Sequence, residues 1–186
     1  MILHTKRLIL RPWAESDAEC LFEYAKDERV GPITGWPPHT SVENSKEIIQ
    51  QLLMQDHTFA VALKTKPEQV IGNIGVMLND EELRFPFMNR KDAEIGFWLG
   101  VPYWGNGYIP EAVKRVLTYC FEELAVENIW CGYYEGNEQS KRVQEKVGFL
   151  YERTEKELFV PPLDEYRVEH FTKLTKKCWL QQASVD

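Results

Sequence analysis

A strand-like run, a Gly-x-Gly corner and a long amphipathic stripe follow one another between Ala93 and Leu124. That succession restricts the chain to folds in which a sheet strand feeds a helix through a tight bend. In residues 93–99, Ala93, Ile95, Phe97 and Leu99 alternate onto one face and leave Glu94, Gly96 and Trp98 on the other. Ile109, Ala112, Val113, Val116, Cys120 and Leu124 fall on one helical stripe. Pro110 suits the first turn of that helix, where a missing N–H costs little. Between strand and helix, Trp104-Gly105-Asn106-Gly107-Tyr108 exposes main-chain N–H groups with few side chains in the way. At the positive end of a helix such donors make a site for an anion such as pyrophosphate. The corner alone also fits an ordinary strand-to-helix turn.

The rest of the chain alternates in the same manner. Residues 5–13 set Leu8 and Leu10 against Arg7 and Arg11 and read as a first strand. Residues 16–29 read as a helix with Ser16 as cap and Glu19 three residues later. Residues 31–38, rich in Gly and Pro, read as a loop, and 42–55 as a second helix with Ile48, Ile49, Leu52 and Leu53 on one face. Strands at 58–63 and 70–78 follow, then a polar insert, 79–91, expected as a solvated hairpin or loop. After the long helix come a strand at 129–134, a helix at 138–146, and strands at 149–160 and 166–174. Gly148 fits the left-handed residue that closes the preceding helix. Residues 1–175 are read as one domain, and 176–186 as a frayed tail. Interspersed strands and helices predict an α/β or α+β sheet with helices on both faces.

Composition excludes several classes. At 44% hydrophobic and 27% charged residues the chain suits a soluble globular protein. Its net charge of −7 argues against a general nucleic-acid binder, which needs a basic face. An acidic surface suits a cationic partner such as an amine, though a mild net charge also serves solubility. The first residues lack the apolar core of a signal peptide, and no apolar run approaches the ~20 residues needed to cross a bilayer. Cys20, Cys120, Cys131 and Cys178 show no metal-like spacing and read as reduced, packed thiols of a cytoplasmic protein. His4, His39, His57 and His170 form no ligand set or triad, so no metal is expected.

The glycine corner is not a dinucleotide fingerprint, because the third glycine of that pattern falls on Pro110. No P-loop and no Gly-x-Ser-x-Gly nucleophile elbow is present. Glu94 lies beside Gly96 and Trp98 and is a candidate base, directly or through water; the alternative is a solvated face of an edge strand. Asn137 and Ser140 open a short helix. They are either cap and first-turn residue, or an amide and hydroxyl that hold a thioester's pantetheine arm and protonate its departing sulfur.

Taken together, three segments resemble the GNAT N-acetyltransferase superfamily, and most nearly its ribosomal-protein N-terminal acetyltransferase branch. They are residues 93–99, residues 103–112 around Gly105 and Gly107, and Asn137-Glu138-Gln139-Ser140 with Lys146-Val147-Gly148-Phe149. The opening Thr5-Lys6-Arg7-Leu8-Ile9-Leu10-Arg11-Pro12 and Trp36-Pro37-Pro38-His39 also look typical of that branch. Trp104 stands where the superfamily usually has Gln or Arg, and Ile109 where it has Gly or Ala.

The resemblance implies a mixed, mostly antiparallel sheet splayed between 93–99 and 129–134, with acetyl-CoA in the splay. Phe97, Trp98 and Leu99 would meet the pantetheine, and the loop Trp104, Gly105, Asn106, Gly107, Tyr108, Ile109 the pyrophosphate. Asn137 and Ser140 complete the implied cofactor contacts. Glu94 is the implied base and Ser140 the implied acid, with main-chain N–H groups near Phe97 and Trp98 steadying the oxyanion. The implied acceptor is a protein N-terminal α-amine. Small amines (polyamines, amino acids, antibiotics) and a non-catalytic acyl-CoA-binding module are the alternatives, and a homodimer fits the branch. A lysine amine, with pKa about 10.4, costs roughly 4–5 kcal/mol to deprotonate at pH 7, against about 1–1.5 for an α-amine near 7.7–8.0. One carboxylate without a strong base therefore suits an α-amine better.

Overall fold

The computed structural model describes residues 1–79 and 85–183. Its frame is an eight-stranded sheet in the order β1-β2-β3-β4-β5-β6-β8-β7. Of the strand predicted over 5–13 only β2 (Leu8–Arg11) forms, and it pairs in a small antiparallel hairpin with β1 (Leu3–His4), which precedes the predicted range. The break falls at Thr5, whose hydroxyl accepts the Leu8 N–H at 2.8 Å and turns the chain back on itself.

Helix α1 (Ala18–Ala25) follows a single 3-10 turn at Glu15–Asp17. Ser16 is not its cap, contrary to the sequence expectation. Asp17 takes the N-cap position without a side-chain bond to the helix: its carboxylate accepts the Ala14 N–H at 2.9 Å and takes a bidentate pair from Arg11 at 2.8 and 2.7 Å. Within 31–38, expected as loop throughout, Gly31–Thr34 winds into one helical turn, α2, ended by left-handed Gly35. Helix α3 (Val42–Ile48) is capped by Ser41, whose hydroxyl accepts the Asn44 N–H, and widens into a π-type turn at Ile49–Leu53.

Strands β3 (Thr58–Leu63), β4 (Lys66–Leu78) and β5 (Asp92–Leu99) form an antiparallel meander. Of the insert between β4 and β5, residues 80–84 lie outside the described part. The remainder is loop as expected but solvated only in part: Pro86, Asn89, Arg90 and Lys91 are exposed, whereas Met88 is buried and Phe85 and Phe87 stack at 5.1 Å and pack on Phe171 and Trp130. Aromatic area buried against the sheet outweighs the polar average of the segment.

Helix α4 (Tyr108–Glu122) carries the predicted stripe into the main core, with Ile109, Ala112, Val113, Val116 and Cys120 all buried. Strand β6 (Asn128–Tyr134), helix α5 (Glu138–Lys146), and strands β7 (Leu150–Val160) and β8 (Glu165–Thr175) complete the alternation. Gly148 is left-handed, at φ 91°, as expected. The tail does not fray where described: Lys176–Ala183 is helix α6, and Trp179 packs on Phe121 with ring centroids 5.2 Å apart. A second core on the opposite sheet face joins Trp13, Leu21, Ile49 and Trp98 under α1 and α3. Helices thus cover both faces of a mostly antiparallel sheet.

Only β5 and β6 run parallel, and they pair over just three positions: Asp92 with Asn128, Ala93 with Ile129, Glu94 with Trp130. Beyond Glu94 the two strands part. This splay positions the site.

Candidate functional site

The open edge of β5 can be read from its hydrogen bonds. Asn79 N–H donates to Asp92 O at one end and Gly100 N–H donates to Ile71 O at the other, so even-numbered residues of β5 bond to β4. Alternation along an antiparallel strand then turns the N–H and C=O groups of Ile95, Phe97 and Leu99 toward β6. Glu127 N–H donating to Lys91 O fixes the same parity from the other side. Since β6 has left, the Phe97 and Leu99 groups face a cavity.

That cavity has a volume of about 410 Å³, within the range of about 300–1,000 Å³ usual for small-molecule sites. Phe97, Trp98 and Leu99 form its floor and Asn137, Ser140 and Val143 one wall. Trp104, Gly105, Gly107, Tyr108 and Ile109 form its end. Ten of the eleven residues expected to touch a cofactor therefore meet in one place. Asn106 is the exception. It does not line the cavity, and its side-chain amide instead ties the loop together, donating to Tyr103 O at 3.1 Å and Trp104 O at 3.0 Å.

The corner is left-handed at both glycines, with φ 75° at Gly105 and 73° at Gly107, a conformation that L side chains pay for. Gly107 is the N-cap of α4 and has no side chain to satisfy the first turn. Among the described residues, the N–H groups of Gly105, Asn106 and Gly107 donate to no main-chain or side-chain acceptor. A Cβ built on Gly105 meets nothing within 4 Å, so the approach is open. The Trp104 indole N–H donates to Leu99 O at 2.7 Å, which replaces the polar side chain of the resembling family with a brace between loop and strand.

Three cations on the cavity's rim escaped sequence reasoning: Arg29, Arg142 and Lys146. Arg142 and Lys146 are one helical turn apart on α5, a spacing that places both on one face and was legible in principle. They supply local positive charge on a chain whose net charge is −7.

Ser140 sits in a hydrogen-bonded chain. Its N–H donates to the Asn137 side-chain oxygen at 3.1 Å, while the Asn137 amide donates to Ile33 O at 3.1 Å and ties α5 to α2. The Gln144 amide donates to Ser140 Oγ at 3.0 Å and to Gly132 O at 3.1 Å. Thr172 Oγ1 donates to Gln144 Oε1 at 2.6 Å. The Gly132 carbonyl can only accept, which settles which way Gln144 points. With a lone pair occupied by Gln144, the Ser140 hydroxyl keeps its own proton to give. Gln144, only 1% exposed, holds the Ser140 hydroxyl and was not singled out by the sequence.

Glu94 does not line the cavity. It stands at the vertex of the splay, the last paired position before β5 and β6 separate, and is buried at 8% exposure. That rules out a solvated edge strand, since β5 is central. Glu169, equally buried on β8, lies across the same sheet face opposite Tyr134. A Cβ on Gly132 would fall 2.1 Å from its Oε1, so glycine there makes room for the carboxylate. Burial, then the Glu169 charge, push the Tyr134 phenol up to about 12; Arg167 works against them and Glu94 adds to the rise. Tyr134 is thus protonated at neutral pH.

Toward α2 the cavity is lined by Val30, Ile33 and Thr34, and behind Trp98 the packing is aromatic. Trp36 packs edge-on against Trp98 at 6.0 Å, and Trp98 also meets Trp13 at 6.5 Å. Burial holds the His39 imidazole below its ordinary value, and His39 Nδ1 shares a 2.8 Å hydrogen bond with Ser45.

Comparison with known proteins places this geometry. The family profile described as "Acetyltransferase (GNAT) domain" matches residues 7–150. The N-acetyltransferase p20 of Bacillus licheniformis is 30% identical over 155 residues, covering 81% of this chain and 83% of that protein. Among solved structures, the ribosomal-protein-S5-alanine acetyltransferase of Vibrio fischeri superposes with a TM-score of 0.70 at 23% identity, covering 96% of this chain and 98% of that one. Mycobacterium smegmatis RimJ, solved in complex with CoA-disulfide, superposes at 0.73 with 19% identity, covering 100% of this chain and 93% of that one.

Proposed function

This chain belongs to the GNAT family of acetyltransferases, and from that premise we propose that it transfers acetyl from acetyl-CoA directly to a protein N-terminal α-amine. The observation that carries the reading is the meeting, in one cavity, of unpaired corner amides, the open edge of β5 and the Ser140 hydroxyl. An anion fits the corner because its donors converge at a helix N-terminus with room to approach. Arg29, Arg142 and Lys146 would meet further phosphate charge. The pantetheine amides would pair with the Phe97 main chain and the Leu99 N–H, as a strand pairs with an open edge, the Leu99 carbonyl being taken by the Trp104 indole.

The acceptor amine would attack the thioester carbonyl carbon from the Glu94 side of the splay. Glu94, directly or through water, would take the proton that the nitrogen sheds as the C–N bond forms. The Phe97 N–H would steady the oxygen as it gains charge; the Trp98 N–H, also expected there, is turned toward β4 instead. As the C–S bond breaks, Ser140 would hand its proton to the sulfur. No acyl-enzyme is required, in keeping with thiols that are buried (Cys120, Cys131) or remote.

The α-amine is favoured over lysine by the deprotonation cost, and the Vibrio fischeri protein is named as acting on an alanine of a ribosomal protein, a residue whose side chain carries no amine. Small amines remain the second reading, since a net charge of −7 also suits a small cationic acceptor. The test is thiol release from acetyl-CoA across peptides and small amines, with products weighed by mass. Glu94→Gln and Ser140→Ala should each lose about 10²-fold or more in kcat while still binding CoA. Wild-type protein that binds CoA but releases no thiol with any of the amines would sink the reading and leave a binding module.

A further inference from the structure

The amides of the glycine corner are held from behind by a residue that does not touch the cavity. Arg7 lies in the turn between β1 and β2, and neither it nor Glu111 of α4 lines the site. Yet the two are locked together. Arg7 Nε donates to Glu111 Oε2 at 2.6 Å, Arg7 N–H donates to Glu111 Oε1 at 2.8 Å, and Thr5 Oγ1 donates to the same oxygen at 2.6 Å. Arg7 Nη1 reaches on to the Asn106 carbonyl at 3.0 Å, and its guanidinium lies over the Tyr108 ring at 4.5 Å. One side chain therefore grips the carboxylate, the carbonyl and the ring that bracket Gly107.

The peptide between Asn106 and Gly107 is trans, so its C=O and N–H point in opposite directions. Drawing the Asn106 carbonyl toward Arg7 turns the Gly107 N–H away from Arg7. Gly107 itself lines the cavity, and Arg7 does not. Glu111 adds an electrostatic problem that Arg7 solves. Burial works against its ionisation, but the hydrogen bonds from Thr5 and Arg7 prevail and keep the carboxyl below its ordinary value. It is charged at neutral pH, in the first turn of the helix that would receive the diphosphate.

We infer that Arg7 is a positioning residue for the diphosphate of the acetyl donor: it aims the Gly107 N–H and cancels the Glu111 charge without touching the ligand. The inference rests on the proposed phosphate loop. It does not rest on stability, because a pair with Arg7 42% exposed contributes little to folding. Lysine is not a substitute, since one ammonium on a flexible stem cannot serve carboxylate and carbonyl in fixed directions while stacking on a ring.

The test compares wild type, Arg7→Ala and Arg7→Lys with CoA by calorimetry, and with acetyl-CoA and S-acetyl-pantetheine as donors in turnover. Arg7→Ala should weaken CoA binding about tenfold, the worth of one charge-assisted amide-to-phosphate bond, and Arg7→Lys should fall within about threefold of it. At saturating acetyl-CoA, kcat should stay within about twofold, and kcat/KM for S-acetyl-pantetheine, which has no diphosphate, should not change. Unchanged CoA affinity overturns the inference. So does an equal loss with S-acetyl-pantetheine, which marks a general structural role, or full rescue by lysine, which leaves charge alone. If Arg7→Ala does not fold by circular dichroism, Arg7→Lys carries the same comparison. Wild type that fails to bind CoA would instead sink the phosphate loop itself, a separate outcome.

Discussion

Replacing Gln144 with leucine removes the centre of the polar chain that fixes Ser140 while keeping nearly the same volume. Three hydrogen bonds go: to Ser140 Oγ, to the Gly132 carbonyl and from Thr172. Thr172 keeps a second acceptor, the Cys131 carbonyl at 3.2 Å, so its hydroxyl is not orphaned. Gly132 O retains only a weak thiol contact at 3.9 Å. At about 1 kcal/mol net for each bond, with a small return from burying leucine's methyl groups, the loss is about 2–3 kcal/mol. For a chain of this length each kcal/mol moves Tm by about 2–4 °C, so Tm should fall by roughly 4–12 °C. Ser140, freed to turn, should also lose alignment, and kcat should drop about tenfold with CoA affinity unchanged. Thermal unfolding followed by circular dichroism, beside thiol-release kinetics, reads both. A Tm shift under about 1 °C together with unaltered kcat would refute the claim that Gln144 holds the acid in place.

Gly107→Ala keeps the corner's composition but forces an L residue to φ 73°; its Cβ would meet only Arg7 Nη2, at 3.7 Å. Strain of about 1–2 kcal/mol should lower Tm by a few degrees, and relief of that strain by loop movement should weaken CoA binding, measured by calorimetry. His39 sets a pH dependence: its folded pKa is depressed by burial, so the unfolded chain binds more protons, and stability falls as pH drops below its ordinary value of 6.5. His39→Gln should flatten denaturant stability between about pH 6.5 and 5, and an unchanged slope would contradict the assignment.

The strand, corner and helix at 93–124 could be read from sequence because each rests on a local rule: period two, glycine, then period 3.6. Residues 58–63 and 138–146 match β3 and α5 for the same reason. What sequence could not supply came from tertiary contacts. Ser16 looked like a cap, but Asp17 could be recruited by Arg11 from β2, a pairing invisible in a capping pattern. The insert after β4 looked solvated because its average is polar, yet Phe85, Phe87 and Met88 find an aromatic bed on Trp130 and Phe171. Residues 176–183 have weak local signals and become helical with Trp179 laid on Phe121. In the site, Ser140 and the glycine corner carried motif signals, whereas Gln144 is fixed by Gly132 and Thr172 on other strands as well as by Ser140 one turn away, and Arg29 reaches the cavity rim only through the fold. Glu94 was visible as a carboxylate in an apolar strand, but its place at the vertex of the splay follows only from the register of β5 on β6.

The central claim is that bare main-chain amides at Gly105–Gly107 receive the donor's diphosphate. Titration calorimetry with CoA and with pantetheine, which shares the arm but lacks the diphosphate, tests it most directly. Binding of CoA at least about a hundredfold tighter than pantetheine is the result expected, as several charge-assisted bonds are at stake. Equal affinity for the two, or no heat with CoA at millimolar concentration, would contradict it.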